Sequence, residues 1–408
     1  MRDKDELLEQ AEQMAGDISG WRRALHQYPE LSFQEVETAR FIASVLETVQ
    51  GITVERGRGL KTSVIGTLGT GRPVIALRAD IDALPIDEAN TCDYRSRNPG
   101  VMHACGHDAH AAILLGTARL LAEHFQKQQV CGTVKFIFQP AEETIDEDSL
   151  SGSPYLLQAG AYEGVEAAIA LHMCPWLPVG DVQLSDGLSM ANVDVFRAEI
   201  VGTGGHGAYP ELGSDPTWML GVILQALHGI VPRKVPALEP AVISIGQIHA
   251  GTASNIIPQE VKVEGTVRSY TGRVRNLLET EIERAFSLAT QLGGDYSFSY
   301  QRGEPALVND KQVNAGIIRA IHKTDPSIDT IDRSFGMGGE DFGYVTQQVP
   351  GAMFFLGCGL QDGVSRELHT AHFDIDERSL PLGAAILANA AIDFLETEQN
   401  REGENDDA

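Results

Sequence analysis

Three apolar runs in this chain stop abruptly on ionisable residues, and that pattern limits the fold more than any other. VIALRADID (74–82) closes on Arg78, Asp80 and Asp82 at period two, VKFIFQPAEE (134–143) on Glu142 and Glu143, and AAIALH (167–172) on His172. Between the first two, AHAAILLGTARLLAEHF reads as a helix long enough to cross from strand to strand. Short apolar strands alternating with helices predict an α/β sheet buried on both faces, and such sheets bind ligands beyond the carboxyl ends of their strands. All three runs therefore deliver charge to one rim. Carboxylates and imidazole gathered there repel or desolvate one another unless a cation holds them.

The octet HACGHDAH (103–110) adds three histidines, a cysteine and an aspartate. His103, Cys105 and His107 fall at period two and would share a face if extended, while Asp108 is placed to cap the following helix. Sulfur, nitrogen and oxygen donors together suit zinc, manganese, cobalt or nickel better than calcium or magnesium. A thiol hydrolase using Cys105 as nucleophile and His107 as its base is the other reading. Residues two apart in an extended segment rarely bring sulfur and imidazole within hydrogen-bond reach, and that reading leaves the glutamate pair unexplained.

At 408 residues the chain exceeds the ~250–300 at which one hydrophobic core stops growing, so two domains are expected. Thirty-one lysines and arginines against 57 aspartates and glutamates give a net charge of −26, which argues against nucleic acid and anionic membranes as partners. A small carboxylate could bind only where particular arginines or metal ions meet it. The amino-terminal MRDKDELLEQAEQM lacks the apolar centre of a secretory signal, and no apolar run of about 18 residues is evident. Five scattered cysteines with no C-x-x-C suit a reducing compartment, so a cytoplasmic location is expected. Residues 4–26 and 33–49 read as amphipathic helices joined by HQYPELSF, where Ser32 and Glu35 fit a capping box. GTLGTGRP lacks the ending of a phosphate loop and reads as a hairpin turn, and EQNREGENDDA as a frayed tail.

RADIDALP, MHACGHDAH, QPAEE, LHMCP, GTGGHGAYP, AGTASNIIP, GGEDF and ELHTAHF occur in the order seen in the M20 metallopeptidase family. From about residue 20 to 395 the chain most resembles the family's amidohydrolase branch of aminoacylases, hippurate hydrolases, auxin-conjugate hydrolases and N-acetyl-diaminopimelate deacetylases. The resemblance implies an α/β, mixed-sheet, zinc-exopeptidase-like catalytic domain (1–183 and 301–408) interrupted by a smaller α/β dimerisation or lid domain (184–300). It also implies two divalent ions (Zn, Mn, Co or Ni) and a homodimer or dimer-based tetramer. By motif, Cys105 takes the bridging position, His107, Glu143, His172 and His372 complete the metal shells, and Glu142 is the general base. Asp80 and Asp82 are expected to orient ligands, with a strand-end salt bridge to Arg78 as the alternative for Asp80 and Asp82 alike. His103 and His110 are not required.

The resemblance gives His206 of GTGGHGAYP the task of stabilising an oxyanion from a neighbouring subunit, a role that needs a preorganised donor. Read without it, the glycines describe a tight turn carrying an incidental histidine. Asn255 and Arg268 are expected to hold a substrate carboxylate, although an arginine at a strand end often pairs with a surface acid. Glu340, Asp341 and Phe342 match a motif that lines the family's cleft. The activity so implied is hydrolysis of the acyl-amide bond of an N-acyl-L-amino acid to a carboxylate and a free amino acid. Dipeptide hydrolysis shares this chemistry, and a non-catalytic binder on the same scaffold would be expected to have lost its base or a ligand.

Overall fold

A computed structural model describes residues 5–128 and 130–406. Two compact units emerge: Met1–Ser189 with Val308–Phe335 and Asp341–Ala408, and Met190–Leu307 with Gly336–Glu340. The insert was expected over 184–300; the second unit runs from Met190 to Leu307 and takes in the short return Gly336–Glu340.

In chain order the strands are β1 (Ile52–Arg56), β2 (Val64–Thr70), β3 (Val74–Asp80), β4 (Gly132–Gln139), β5 (Ala167–Pro178), β6 (Asp181–Leu184), β7 (Gly187–Met190), β8 (Asn192–Val201), β9 (Gly205–His206), β10 (Ala241–Ala250), β11 (Ile256–Ile257), β12 (Glu260–Ser269), β13 (Asp295–Arg302), β14 (Leu307–Asn309), β15 (Asp329–Asp332) and β16 (Gly351–Gly359). The first unit holds an eight-stranded mixed sheet in the order β1-β2-β4-β3-β5-β16-β6-β15. Within it β4, β3, β5 and β16 run parallel, so their carboxyl ends share one rim. GTLGTGRP does turn the chain, with Gly69 and Gly71 at positive φ, but β4 lies between the two strands it joins. The expected hairpin is therefore a wider connection.

Helices α1 (Glu6–Gln13), α2 (Ala15–Gln27), α3 (Val36–Leu46), α4 (His107–Lys127) and α5 (Gly152–Gln158) belong to this unit. The stretch 4–26 is thus two helices, broken at Met14. The carboxyl-terminal helix, Ser379–Asp406, is apolar over Ser379–Gln399, long enough to cross a membrane by length and composition, yet mostly buried inside the protein. It is a core element. Its Ala384, Ala385, Ala388 and Ala391 are buried, and small side chains let neighbouring helices approach closely. At Gly116 of α4 an added Cβ would lie 2.9 Å from Ile18 and 3.3 Å from Ala384, so glycine is required by that approach. Each fully buried leucine, isoleucine or phenylalanine here contributes about 1.5–3 kcal/mol. The backbone stays helical to Asp406, which corrects the expected fraying of the tail up to that residue.

The second unit is built on a four-stranded antiparallel sheet, β10-β12-β8-β13. In β12 burial alternates strictly, with Val261, Val263 and Val267 turned to a core shared with Phe196, Ile223, Leu278 and Phe286. That core is closed by α6, which here denotes Pro216–Lys234, and by the helix Gly272–Phe286.

Candidate metal centre

Cys105, His107, Glu143, His172 and His369 converge at the carboxyl ends of β4, β3 and β5. Donor atoms of Cys105, His107 and His172 lie within 4.8 Å of one another, as do those of Cys105, Glu143 and His369. Cys105 Sγ is 3.4 Å from His172 Nε2 and 3.3 Å from His369 Nε2, and His369 Nε2 is 3.3 Å from Glu143 Oε1. Cys105 is common to both groups.

Local backbone explains the convergence. Gly106, at φ 95°, ends the loop before α4; a side chain there would strike Met173, 2.9 Å from the position of an added Cβ. The turn brings Cys105 and His107 together while His103 faces the ring of His26, 6.4 Å away. The shared face expected for residues 103, 105 and 107 is therefore not formed, because His107 already begins a helix. Asp108 does not cap that helix either; its Oδ2 accepts from Arg22 Nε and pairs with His26 Nδ1, each at 2.8 Å.

The expectation for ELHTAHF was misplaced by three residues. His369, not His372, faces Cys105 and Glu143. A left-handed backbone at His369 (φ 59°) and donation from its N–H to Ala104 O (2.7 Å) turn the imidazole onto the cysteine loop, whereas His372 is exposed and joins none of the donor clusters among the described residues.

Two of the imidazoles are held by their second nitrogen. His107 Nδ1 donates to Asp82 O (2.9 Å) and His172 Nδ1 to Met173 O (2.8 Å), which leaves both Nε2 atoms facing the cluster. His110 is fully engaged elsewhere: Nδ1 donates to Asp80 Oδ1 (2.5 Å) and Nε2 accepts from Met173 N (2.8 Å). Asp80 Oδ2 also takes Arg78 Nη1 at 2.7 Å and lies 3.8 Å from His107 Nε2, so it combines the salt bridge with a position beside that imidazole. Asp82 accepts from Ser32 Oγ and from Glu143 N at 2.7 and 3.0 Å. Asp341 is a buried acceptor for Arg78, Gln139, Ser151 and Ser153 and ties strand ends together; Glu340 lies in the second unit.

A divalent cation suits these residues. His107 Nε2 and Glu143 Oε1 are buried, 3.8 Å apart, and neither makes a well-formed hydrogen bond, although His369 Nε2 stands 3.3 Å from Glu143 Oε1, an arrangement that is costly unless a cation joins them. Burial opposes charge on His107, yet Asp80, Asp82 and Glu143 push its pKa to about 10. Burial, then Glu143, Glu142 and Asp80, push the Cys105 thiol well above its ordinary value, the reverse of an activated nucleophile. Its partners are His172 and His369, so the Cys105–His107 dyad of a thiol hydrolase does not form.

In the second unit, His206 and Asn255 are brought side by side. β9 pairs with β11 so that His206 faces Ile256, and Gly207 N donates to Asn255 O at 2.9 Å. His206 is exposed; its Nδ1 accepts from Ala208 N (3.0 Å), which puts the ring proton on Nε2. Arg268, on the β12 face turned from the core, has a buried Nη1 with no hydrogen-bond partner. The surface acid expected as its alternative partner does not engage that atom.

Residues 76–393 match the model of peptidase family M20/M25/M40. The N-acetyl-L-cysteine deacetylase of Bacillus subtilis is 38% identical over 388 residues, covering 94% of this chain and 89% of that protein. Thermostable carboxypeptidase 1 of Saccharolobus solfataricus is 35% identical over 398 residues, 95% of this chain and 99% of its own. The crystal structure of the Bacillus subtilis YXEP protein, described as a dinuclear metal binding peptidase from the M20 family, superposes with a TM-score of 0.81 at 35% identity, covering 95% and 99% of the two chains.

Proposed function

The chain belongs to peptidase family M20/M25/M40, and on that premise we propose that it is a metal-dependent amidohydrolase cleaving the acyl-amide bond of N-acyl-L-amino acids. The observation that carries this reading is the buried pair His107 Nε2 and Glu143 Oε1, neither of them hydrogen-bonded, beside a cysteine common to two donor groups. We assign two divalent ions, of zinc, manganese, cobalt or nickel. His107 and His172 with Cys105 would hold one and Glu143 and His369 with Cys105 the other; His369 replaces His372 in the assignment. When bound, such ions acidify water and polarise a carbonyl.

Glu142, next to the ligand Glu143, takes a proton from the attacking water and returns it to the departing amine. Asp80 and Asp82 fix ligand orientation. His206, its Nε2–H free to donate, stabilises the oxyanion, and Asn255 and Arg268 bind the substrate carboxylate. The unpartnered Arg268 Nη1 favours that last role.

We further propose a homodimer or dimer-based tetramer. Its support is the outer edge of β10 together with exposed Trp218 and Val222 on α6, an apolar face suited to a second copy. A cytoplasmic setting fits five cysteines with no disulfide among the described residues.

Hydrolysis of N-acetyl, N-benzoyl and N-succinyl amino acids and of dipeptides, by metal-stripped protein with and without Mn²⁺, Co²⁺ or Zn²⁺, tests the reading. Metal-restored release of one acyl class is expected. Turnover confined to dipeptides transfers the chain to the peptidase reading, and no turnover despite tight metal binding favours a binder.

A further inference from the structure

Ser32 and Glu35 match a helix cap in sequence, but the structure engages both elsewhere. Helix α3 begins at Val36, and Glu35 makes no side-chain cap there. Its buried carboxylate instead accepts Phe33 N (2.9 Å) and Ala141 N (2.8 Å) on Oε1 and Thr62 Oγ1 (2.9 Å) on Oε2. Ser32 Oγ donates to Asp82 Oδ2 at 2.7 Å, the same oxygen that accepts Glu143 N at 3.0 Å. The two peptide N–H groups flanking Glu142 are therefore gripped by two carboxylates, Glu35 before it and Asp82 after it.

Ala141 needs such a grip. It holds φ 54°, a left-handed conformation that an alanine Cβ disfavours and that persists only when surrounding groups impose it. Gly152 N fixes its carbonyl at 2.7 Å, so the peptide groups on both sides of Ala141 Cα are pinned. If the residue relaxed to the right-handed or extended region, the chain would leave Gln139–Pro140 in another direction, and Glu142 would leave the cluster it forms with His107 and Glu143.

We propose that Glu35 is a positioning residue for the amide-hydrolysing centre: by holding Ala141 left-handed it aims Glu142 at the metal site. The inference rests on the function proposed above for Glu142. It adds a residue 107 positions upstream that touches neither metal nor substrate, and the segment Ser32–Glu35 becomes the back wall of the base-bearing loop.

The test compares fully metallated E35A and E35Q. Glutamine can still accept both N–H groups on one oxygen, with its amide facing Thr62. E35A is expected to lower kcat about 100-fold, the scale of a displacement of about 1 Å, with KM and metal content near wild type. E35Q should stay close to wild type. Hydrogen exchange over residues 139–145 should accelerate in E35A and not in E35Q, a readout that holds even if no N-acyl amino acid proves to be a substrate and the functional reading fails. Wild-type turnover in folded, metallated E35A overturns the proposal, as does E35Q as impaired as E35A. If E35A does not fold, T62V, which removes the hydroxyl orienting the same carboxylate, decides: a lowered kcat with unchanged metal content supports the role, and unchanged kcat and exchange refute it.

Discussion

His369 Nε2 meets Cys105 Sγ at 3.3 Å although 264 positions separate them in the chain. The contact joins the loop after β16 to the loop before α4, and it is the ground for proposing His369, three residues before His372, as a metal ligand.

Replacing either histidine separates the two assignments. H369A should lower bound metal and reduce kcat/KM by more than about 100-fold, since ligand loss exceeds the ~10–100-fold typical of groups behind a ligand. H372A should leave both near wild type. Elemental analysis alongside kinetics decides between them, and the opposite pattern restores His372.

Arg22 is entirely buried and meets Asp108 at 2.8 Å, Asp374 at 3.1 Å and Glu377 at 3.2 Å. R22A strands these carboxylates and should cost about 3–5 kcal/mol in denaturant unfolding. R22K should recover little of that, because an ammonium cannot reproduce the planar fork that reaches three acids. Full stability in R22K would mean that charge alone suffices.

Burial, then Asp82, raises Glu35 from 4.5 to about 7. A carboxyl whose folded pKa is raised contributes stability below its unfolded value and loses it as pH climbs through the folded one. Between pH 4.5 and 7 the wild type should thus forfeit about 3 kcal/mol that E35Q does not. Melting curves should show E35Q gaining on wild type between pH 5 and pH 8, and parallel pH dependence would contradict the shift.

Chelation and alkylation distinguish a metal centre from a thiol nucleophile. EDTA should abolish turnover and added Mn²⁺, Co²⁺ or Zn²⁺ restore it. Iodoacetamide should spare the metallated protein, because Cys105 is buried and engaged. Inactivation by iodoacetamide with full resistance to EDTA would reverse the reading.

A subunit-mixing experiment addresses His206. Combining H206A with E142Q should regain part of the activity lost by each, since exchange creates some intact sites if the histidine works across subunits. No recovery in verified mixed dimers would return His206 to its own subunit or exclude it from catalysis.

What the sequence displays is strand polarity and ligand type. The runs ending in Asp80, Glu142 and His172 fall on parallel neighbours because apolar strands bounded by charge fit only a sheet covered on both faces. Left-handed residues are what it conceals. Nothing in ELHTAHF says that His369 adopts φ 59°, and nothing in QPAEE says that Ala141 adopts φ 54°. Both conformations are imposed by distant partners, Ala104 O in one case and Glu35 in the other, and pattern reading within one segment cannot see a partner 100 or more positions away. The Ser32 and Glu35 pair failed for the same reason: a capping box is a local solution, and here tertiary acceptors and donors outbid it.

The parallel polarity of β3, β4, β5 and β16 also has a practical use. Every chemical group of the first unit's centre sits at one rim, so the opposite rim, where β4 starts at Gly132, faces away from it. Cys131 lies there and is exposed, while Cys105, Cys174 and Cys358 are buried and Cys92 is half-buried. A maleimide-bearing bead or electrode would thus capture the enzyme by its back, presenting the metal-ligand rim to the flowing solution.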